Sequence, residues 1–348
     1  MEKVFFTKTI TPEKITEIIT AAQIQDIVKK NDLCAVKTHF GEKGNTGYIK
    51  PELIKPVVEK IKKLGALPFL TDANTIYVGQ RADSVRHMLT AYEHNFDYKN
   101  IKCPVIIADG LLGNSYVDVE VNLKHSKVVQ IANAIHYSNS IVCVTHVKGH
   151  MAFGLAGSIK NIGMGCAARP GKYKLHCTVK PLVNSEKCTG CGICVKDCPG
   201  NALTLKDKNQ KIEFNKDKCI GCGECVASCS QHVFRLYWNE EAVILCEKTA
   251  EFCLGVLKNK KAIFVNIINN VTKNCDCIGK SEKPEIADIG IVVSTDIVAA
   301  DQASADLLNK AFGSDFYKHI WPGLDWQAQL VYAEKIGLGS RKYELVEL

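Results

Sequence analysis

The chain has 348 residues, 46% hydrophobic and 23% charged, with 25 Gly and 10 Pro; this composition excludes a disordered chain or a fibre and allows two or three domains with an ample core. No apolar run reaches the roughly 18–20 residues of a membrane helix, and the opening MEKVFFTKTI lacks the features of a secretory signal, so a soluble, cytoplasmic protein with no membrane partner is expected. A formal charge of +7 would on its own suggest an acidic partner such as nucleic acid.

Apolar strands alternate with amphipathic helices along most of the chain, the pattern of an α/β sheet with parallel crossovers. Strands are predicted at 33–38, 67–71, 104–108, 116–121, 140–145, 261–267 and 286–293, and helices at 82–95, 127–137, 240–258, 301–312 and 325–336. After the first of these strands, Pro51 opens a helix whose apolar face is Leu53, Ile54, Val57, Val58, Ile61 and Leu64, and Gly65 stops it. The alternation breaks after residue 183 and resumes near 238. This predicts a discontinuous α/β domain, 1–183 and 238–348, carrying an inserted α+β unit at 184–237.

Several strands end in a polar or ionisable pair: Thr38-His39, Thr71-Asp72, Ala108-Asp109, Thr145-His146 and Thr295-Asp296. Ligands of open α/β sheets bind at the carboxyl ends of strands. A single Asp there is better explained as a helix cap, whereas His39 and His146 each lead into a glycine-containing loop. From Val121 to Ser185 there is no Asp or Glu, while Lys124, Lys127, Lys148, Lys160, Arg169, Lys172, Lys174 and Lys180 bring positive charge. That stretch suits either an anion pocket or a basic docking face. Gly163-Met164-Gly165-Cys166-Ala167-Ala168 fits a dinucleotide fingerprint only weakly, because no strand precedes it and Arg169-Pro170 is expected to interrupt a helix behind it.

Seventeen cysteines, an odd number with no export signal, argue for metal over a disulfide framework. Eight form two runs, Cys188-x2-Cys191-x2-Cys194-x3-Cys198 and Cys219-x2-Cys222-x2-Cys225-x3-Cys229, and the flanking Lys187, Gly190, Gly192 and Val195 recur as Lys218, Gly221, Gly223 and Val226. Three closely spaced thiolates can wrap three corners of an iron–sulfur cubane, with the glycines allowing the tight turn. A pair of structural zinc sites is the alternative, but zinc ribbons pair two Cys-x2-Cys elements and leave the third and fourth cysteines of each run unused. Between the runs, Ala202–Leu205 and Lys211–Phe214 flank Asp207-Lys208-Asn209 as a short hairpin.

Over 184–237 the sequence resembles the bacterial two-cluster ferredoxins, in which the fourth cysteine of each run ligates the other cluster. The resemblance implies two 4Fe-4S clusters, one on Cys188, Cys191, Cys194 and Cys229 and the other on Cys219, Cys222, Cys225 and Cys198; Ser230, where proline commonly stands, touches no ligand. Two oxidised clusters with their thiolates, at about −2 each, would bring the net charge to about +3, so nucleic acid is not expected as a partner. Nearly the whole chain also resembles the domain-of-unknown-function family three-six-two in its form with a ferredoxin insert. That likeness rests on Lys37–Glu42, Thr71–Thr75, Ile107–Gly110, His146–His150, Lys160–Cys166, the two cysteine runs, Asn270–Thr272 with Cys275-Asp276-Cys277, and Asp301–Ser304. It implies two clusters and an α/β host but no established reaction.

Two functional readings follow. In the first, the protein is an iron–sulfur oxidoreductase whose clusters exchange electrons with a redox partner protein and relay them to a site in the α/β domain. His39, and with it His146 or His150, would converge there with Cys166, Cys275 and Cys277 as catalytic groups or ligands of an additional metal, and Lys148, Lys160 and Arg169 would bind a small anionic ligand. In the second, it is a non-enzymatic electron-transfer or cluster-handling protein whose α/β domain binds a partner. Cys34, Cys103, Cys143, Cys246 and Cys253 fall in apolar patterns and are expected in the core.

Overall fold

The computed structural model describes residues 1–77, 79–177, 180–205, 210–235 and 240–348. Its largest element is an eight-stranded sheet built from β1 (Glu2–Thr7), β2 (Leu33–Lys37), β3 (Leu67–Asp72), β4 (Val105–Ile107), β5 (Ser140–His146), β6 (Lys261–Ile268), β7 (Gly290–Ser294) and β8 (Tyr343–Glu347). The order is β8-β1-β7-β6-β5-β2-β3-β4. All neighbours are parallel except β7, which runs antiparallel to both β1 and β6. β5 and β6 read as unbroken apolar runs because both of their faces are covered. Helices Pro12–Ala21 and Pro51–Lys63 pack Ile15, Ile54, Val57 and Ile61 into one core, and Ser158–Gly163, Ala242–Leu257 and Ile297–Phe312 pack Ile162, Phe252 and Leu308 into another.

The chain steps outward through β2, β3 and β4, then returns to lay β5 on the other side of β2. The strand order therefore reverses between β2 and β5, the point at which an open α/β sheet leaves a crevice at its carboxyl edge.

A third, smaller core joins Tyr173, Cys177, Cys194, Leu203, Cys225, Val226 and Phe234. Around it the hairpin forms as Leu203–Thr204 against Glu213–Phe214, with Asp207, Lys208 and Asn209 outside the described residues. Leu182–Val183 and Phe234–Arg235 pair antiparallel, bringing the two ends of this segment together.

Three expectations need correction. Residues 127–137 are not one helix: Val128–Ala132 is a strand paired with Tyr116–Glu120 off the main sheet, followed by a single turn, Asn133–His136. The β-branched Val128, Val129 and Ile131 favour that pleated, half-buried surface over a helix. Pro170 does not break a helix; it sits in the first turn of Arg169–His176, where its missing N–H costs nothing. The helix expected at 301 begins at Ile297, since Asp296 caps it by accepting from the Ala299 N–H at 2.8 Å. β1, β8 and the helix Pro12–Ala21 were not anticipated; they add an edge to the sheet and cover it. Among the described residues no helix is long and apolar enough to cross a membrane.

Candidate functional site

The carboxyl ends of β2, β3 and β5 and the loop after β6 open onto a cavity of about 620 Å³. Its floor is an ion-pair network. Asp72, at the end of β3, takes Lys37 Nζ at 3.0 Å and Arg81 Nη1 at 3.4 Å, and Arg81 also reaches Glu42 at 3.2 Å. Burial would raise the Asp72 carboxyl, but Lys37, His39, His87 and Arg81 outweigh it and hold the group well below the usual carboxylate range. Lys37 further donates to Asn161 Oδ1 at 2.6 Å. The floor is thus preorganised by charge and is not a soft apolar surface.

One wall is the loop carrying Cys275-Asp276-Cys277. Asp276 is buried and accepts from His146 Nδ1 at 2.7 Å and Lys148 Nζ at 2.8 Å, while its backbone carbonyl accepts from the Glu42 N–H at 2.9 Å. The Cys277 carbonyl accepts from the Tyr77 hydroxyl at 3.3 Å. Anchored through its middle residue, the tripeptide turns both flanking thiols to the cavity, which both line. Cys275 Sγ, Cys277 Sγ and a ring nitrogen of His150 all lie within 4.8 Å of one another. Lys160 Nζ is 3.6 Å from Cys275 Sγ. The neighbouring Cys277, with Lys160 and His150 alongside, holds Cys275 well below the ordinary thiol range against its burial, while Cys275 and burial push Cys277 up.

The other candidates separate. His39 lines the cavity; its Nδ1 accepts from the Gly41 N–H at 3.0 Å, and burial, followed by Arg81, lowers the ring to about 3. His146 has both ring nitrogens engaged, Nδ1 with Asp276 and Nε2 with the Asn269 carbonyl at 2.7 Å, and so serves the loop rather than the cavity. Cys166 does not join the His150–Cys275–Cys277 group. Its side chain belongs to the apolar core, and burial pushes its thiol up to about 12. Lys148 is committed to Asp276 and the Gly47 carbonyl. Arg169 donates to the carbonyls of Leu112, Val226 and Ala227, so it ties its own helix to the cysteine-run segment. Of the three anion-binding candidates, Lys160 alone is among the residues lining the cavity.

Sequence reasoning overlooked the helix Arg169–His176 as part of the site. Lys172 and His176, one turn apart, line the cavity; Arg169 and Tyr173, also one turn apart, face the cysteine runs. Gly223 packs so closely on Tyr173 that an added Cβ would lie 2.7 Å from the Tyr173 Cβ, and its φ of +80° favours glycine as well. The spacing of Lys172 and His176 was the available signal, hidden by the expectation that Pro170 breaks a helix.

In the cysteine runs, Cys198, Cys219, Cys222 and Cys225 wall a small cavity otherwise lined by apolar groups such as Leu203, Phe214 and Ile220. Burial raises Cys194 to about 12, and the thiols acting on it next are Cys229, Cys191 and Cys188. Cys225 is raised by burial and then by Cys222, Cys219, Cys194 and Cys198. Gly190, Gly192, Gly221 and Gly223 all have positive φ, from +68° to +80°. The Ala202 and Val233 N–H groups donate to Cys198 and Cys229 Sγ at 3.3 and 3.5 Å. Donor type, grouping and backbone turns all fit an iron–sulfur centre.

A 47-residue stretch is 45% identical to the ferredoxin-type protein NapF of Haemophilus influenzae, and a 34-residue stretch is 59% identical to an uncharacterized protein of Methanocaldococcus jannaschii. These matches take in 13% and 10% of this chain and 27% and 15% of those proteins, and the short ferredoxin-type likeness points to iron–sulfur binding. Among solved structures, the lactate racemase apoprotein of Thermoanaerobacterium thermosaccharolyticum aligns with TM-score 0.44 at 11% identity over 88% of this chain and 57% of that one. A Thermotoga maritima protein aligns with TM-score 0.45 at 9% identity over 89% and 60%. Residues 34–306, from β2 through both cysteine runs to the Ile297–Phe312 helix, match the Domain of unknown function (DUF362) family, and the chain belongs to it.

Proposed function

We infer that the protein is an iron–sulfur redox protein in which residues 184–237, inserted between 1–183 and 238–348, hold two 4Fe-4S clusters that relay electrons to the cavity at the sheet edge. Cys188, Cys191, Cys194 and Cys229 would hold one cluster and Cys219, Cys222, Cys225 and Cys198 the other. The thiol neighbours of Cys194 and the walls of the small cavity support that crossed assignment. The pairing of Leu182–Val183 with Phe234–Arg235 supports the insertion, since an inserted unit must leave and rejoin its host at one place. When bound, the clusters would supply one-electron transfer at a potential set by their surroundings.

The observation that carries the reading is the helix Arg169–His176, which spans from the second cysteine run to the cavity. Arg169 holds the Val226 and Ala227 carbonyls, Tyr173 packs on Gly223, and His176 reaches the cavity wall. The distance between the two sites is thereby fixed by one rigid element. A protein that only docked a partner would not need this connection.

Protein prepared without oxygen should contain about eight iron and eight acid-labile sulfide per chain. Stoichiometric zinc with iron near zero would refute the reading. Replacing Cys198 by Ser should alter the spectroscopic signature of the cluster on Cys219, Cys222 and Cys225; loss confined to the Cys188 cluster would overturn the crossed assignment.

A further inference from the structure

The geometry points to Cys275 and Cys277 as a redox-active dithiol that passes two electrons to a small disulfide substrate in the cavity, and for its supply of electrons this rests on the relay proposed above. The two sulfurs are neighbours on one anchored loop, both at the cavity wall. Tyr77, Glu42, His146 and Lys148 all hold that loop, so the pair is held in place before any substrate arrives. A mononuclear metal on His150, Cys275 and Cys277 suits the geometry less well. His150 Nδ1 accepts from the Ala152 N–H at 3.1 Å, which puts the proton of the neutral ring on Nε2, and Lys160 directs its ammonium at Cys275 Sγ from 3.6 Å. Two hydrogen-bearing groups therefore approach the sulfur that an ion would have to share.

The same contacts suit thiol–disulfide exchange. Lys160, 3.6 Å from Cys275 Sγ, and His150 beside the pair favour a thiolate on Cys275, which leaves Cys277 as the resolving thiol. Cys275 thiolate attacks one sulfur of the substrate disulfide, that S–S bond breaks, and the departing thiolate takes a proton from Lys160. Cys277 then attacks Cys275 Sγ. The mixed disulfide breaks, the second substrate thiol leaves with the Cys277 proton, and a Cys275–Cys277 disulfide remains. The substrate has gained two electrons and two protons. Two electrons, one from each cluster, and two protons from solvent restore the thiolate, the thiol and the Lys160 ammonium. Two one-electron centres match a two-electron couple. Met151, Met164 and Ile76 give the cavity an apolar lining beside Lys160 and Lys172, which suits a small disulfide bearing anionic groups.

The test uses oxygen-free holoprotein equilibrated with mixtures of glutathione and glutathione disulfide, quenched in acid, alkylated and mapped by peptide mass. The expected result is a Cys275–Cys277 disulfide that grows with the oxidant. Cys277→Ser should trap glutathione on Cys275, and Cys275→Ser should trap at least about tenfold less on Cys277. In a second arm, holoprotein reduced with dithionite and freed of excess reductant receives glutathione disulfide. Cluster absorbance should return with about two electrons per disulfide reduced, and a variant combining Cys275→Ser with Cys277→Ser should not respond. Thiols that stay free across the range, or that a bound metal shields until a chelator removes it, overturn the dithiol. A dithiol that cycles while iron is absent or the clusters stay reduced supports the exchange chemistry and overturns the relay.

Discussion

The segment of the cysteine runs and the carboxyl edge of the sheet both gather thiols, and they hold them by opposite means. In the runs, Cys194 and Cys225 belong to the small core, with Cys188, Cys198 and Cys229 packed against it and only a few apolar partners such as Leu203, Val226 and Phe234. At the sheet edge, Cys275 and Cys277 belong to a loop fastened by ion pairs to a scaffold with two extensive cores. On the proposed reading, a segment whose core is largely its cluster ligands would take its folding free energy from the metal, whereas a site pinned to a packed sheet would not. The largest expected effect follows. Stripping iron should release residues 184–235 from protection against hydrogen exchange, a loss on the order of 10 kcal/mol by analogy with metal-coupled folding of small domains, while β5 and β6 stay protected. Equal loss in both regions would erase the distinction.

The next effect tests the fastening from the other side. Asp276→Ala should leave His146 and Lys148 buried without their carboxylate and cost about 3–5 kcal/mol, read as a lowered midpoint of denaturant unfolding, with cluster iron retained. Asp276→Asn keeps the shape and part of the hydrogen bonding and should cost less. A change below 1 kcal/mol in the alanine variant would mean that the loop is held by its backbone contacts alone.

The two regions also differ in how far they could be read in advance. The eight cysteines of the runs lie within 42 residues of one another at regular spacings, from Cys188 to Cys229, so their chemistry is written locally. The ends of β2, β3 and β5 were legible too, because buried parallel strands leave unbroken apolar runs that stop at polar residues. The cavity was legible only in part. His39, His150, Cys275 and Cys277 meet there because carboxyl edges converge, but nothing in the chain distinguishes His146, which ends as a structural partner of Asp276, from His150, which reaches the thiols. Cys275-Asp276-Cys277 sits in a polar stretch, and it is held by Glu42, Tyr77 and Lys148, partners 128–234 positions away in sequence. Val128–Ala132 was misread because its apolar spacing suits either period, and the decision came from its partner strand Tyr116–Glu120.

A smaller effect concerns pH. His39 is lowered to about 3 by burial and Arg81, against an ordinary value of 6.5. Its folded pKa lies below its unfolded one, so its contribution is complete above pH 6.5 and is lost as pH falls from there toward 3. His176, lowered to about 3 by burial and then by His150, acts in the same window. Asp109 and Asp301, raised to about 6 by burial, act in the opposite sense, and stability is lost as pH rises through 6. His39→Gln removes one of the terms that weaken the fold in acid. Between pH 6.5 and 5 the variant should lose about 2 kcal/mol less stability than the parent, as followed by urea midpoints. Parallel decline in the two proteins would show that His39 is as neutral in the unfolded chain as in the folded one.

The smallest effect separates Cys166 from Cys275 and Cys277, with which the chain order invites it to be grouped. Cys166 follows the Ser158–Gly163 helix and is wholly buried in the core on one face of the sheet, and its thiol is pushed up to about 12, so it is neutral at any working pH. A neutral, inaccessible thiol packs as a small apolar group. Cys166→Ala should therefore cost about 1–2 kcal/mol from the cavity it leaves, retain cluster iron, and leave the glutathione response of Cys275 and Cys277 unchanged. In the native protein iodoacetamide should label Cys275 well before Cys166, with peptide mapping as the readout. Faster labelling of Cys166, or loss of the Cys275–Cys277 exchange in the alanine variant, would return Cys166 to the site and require the cavity wall to open toward it.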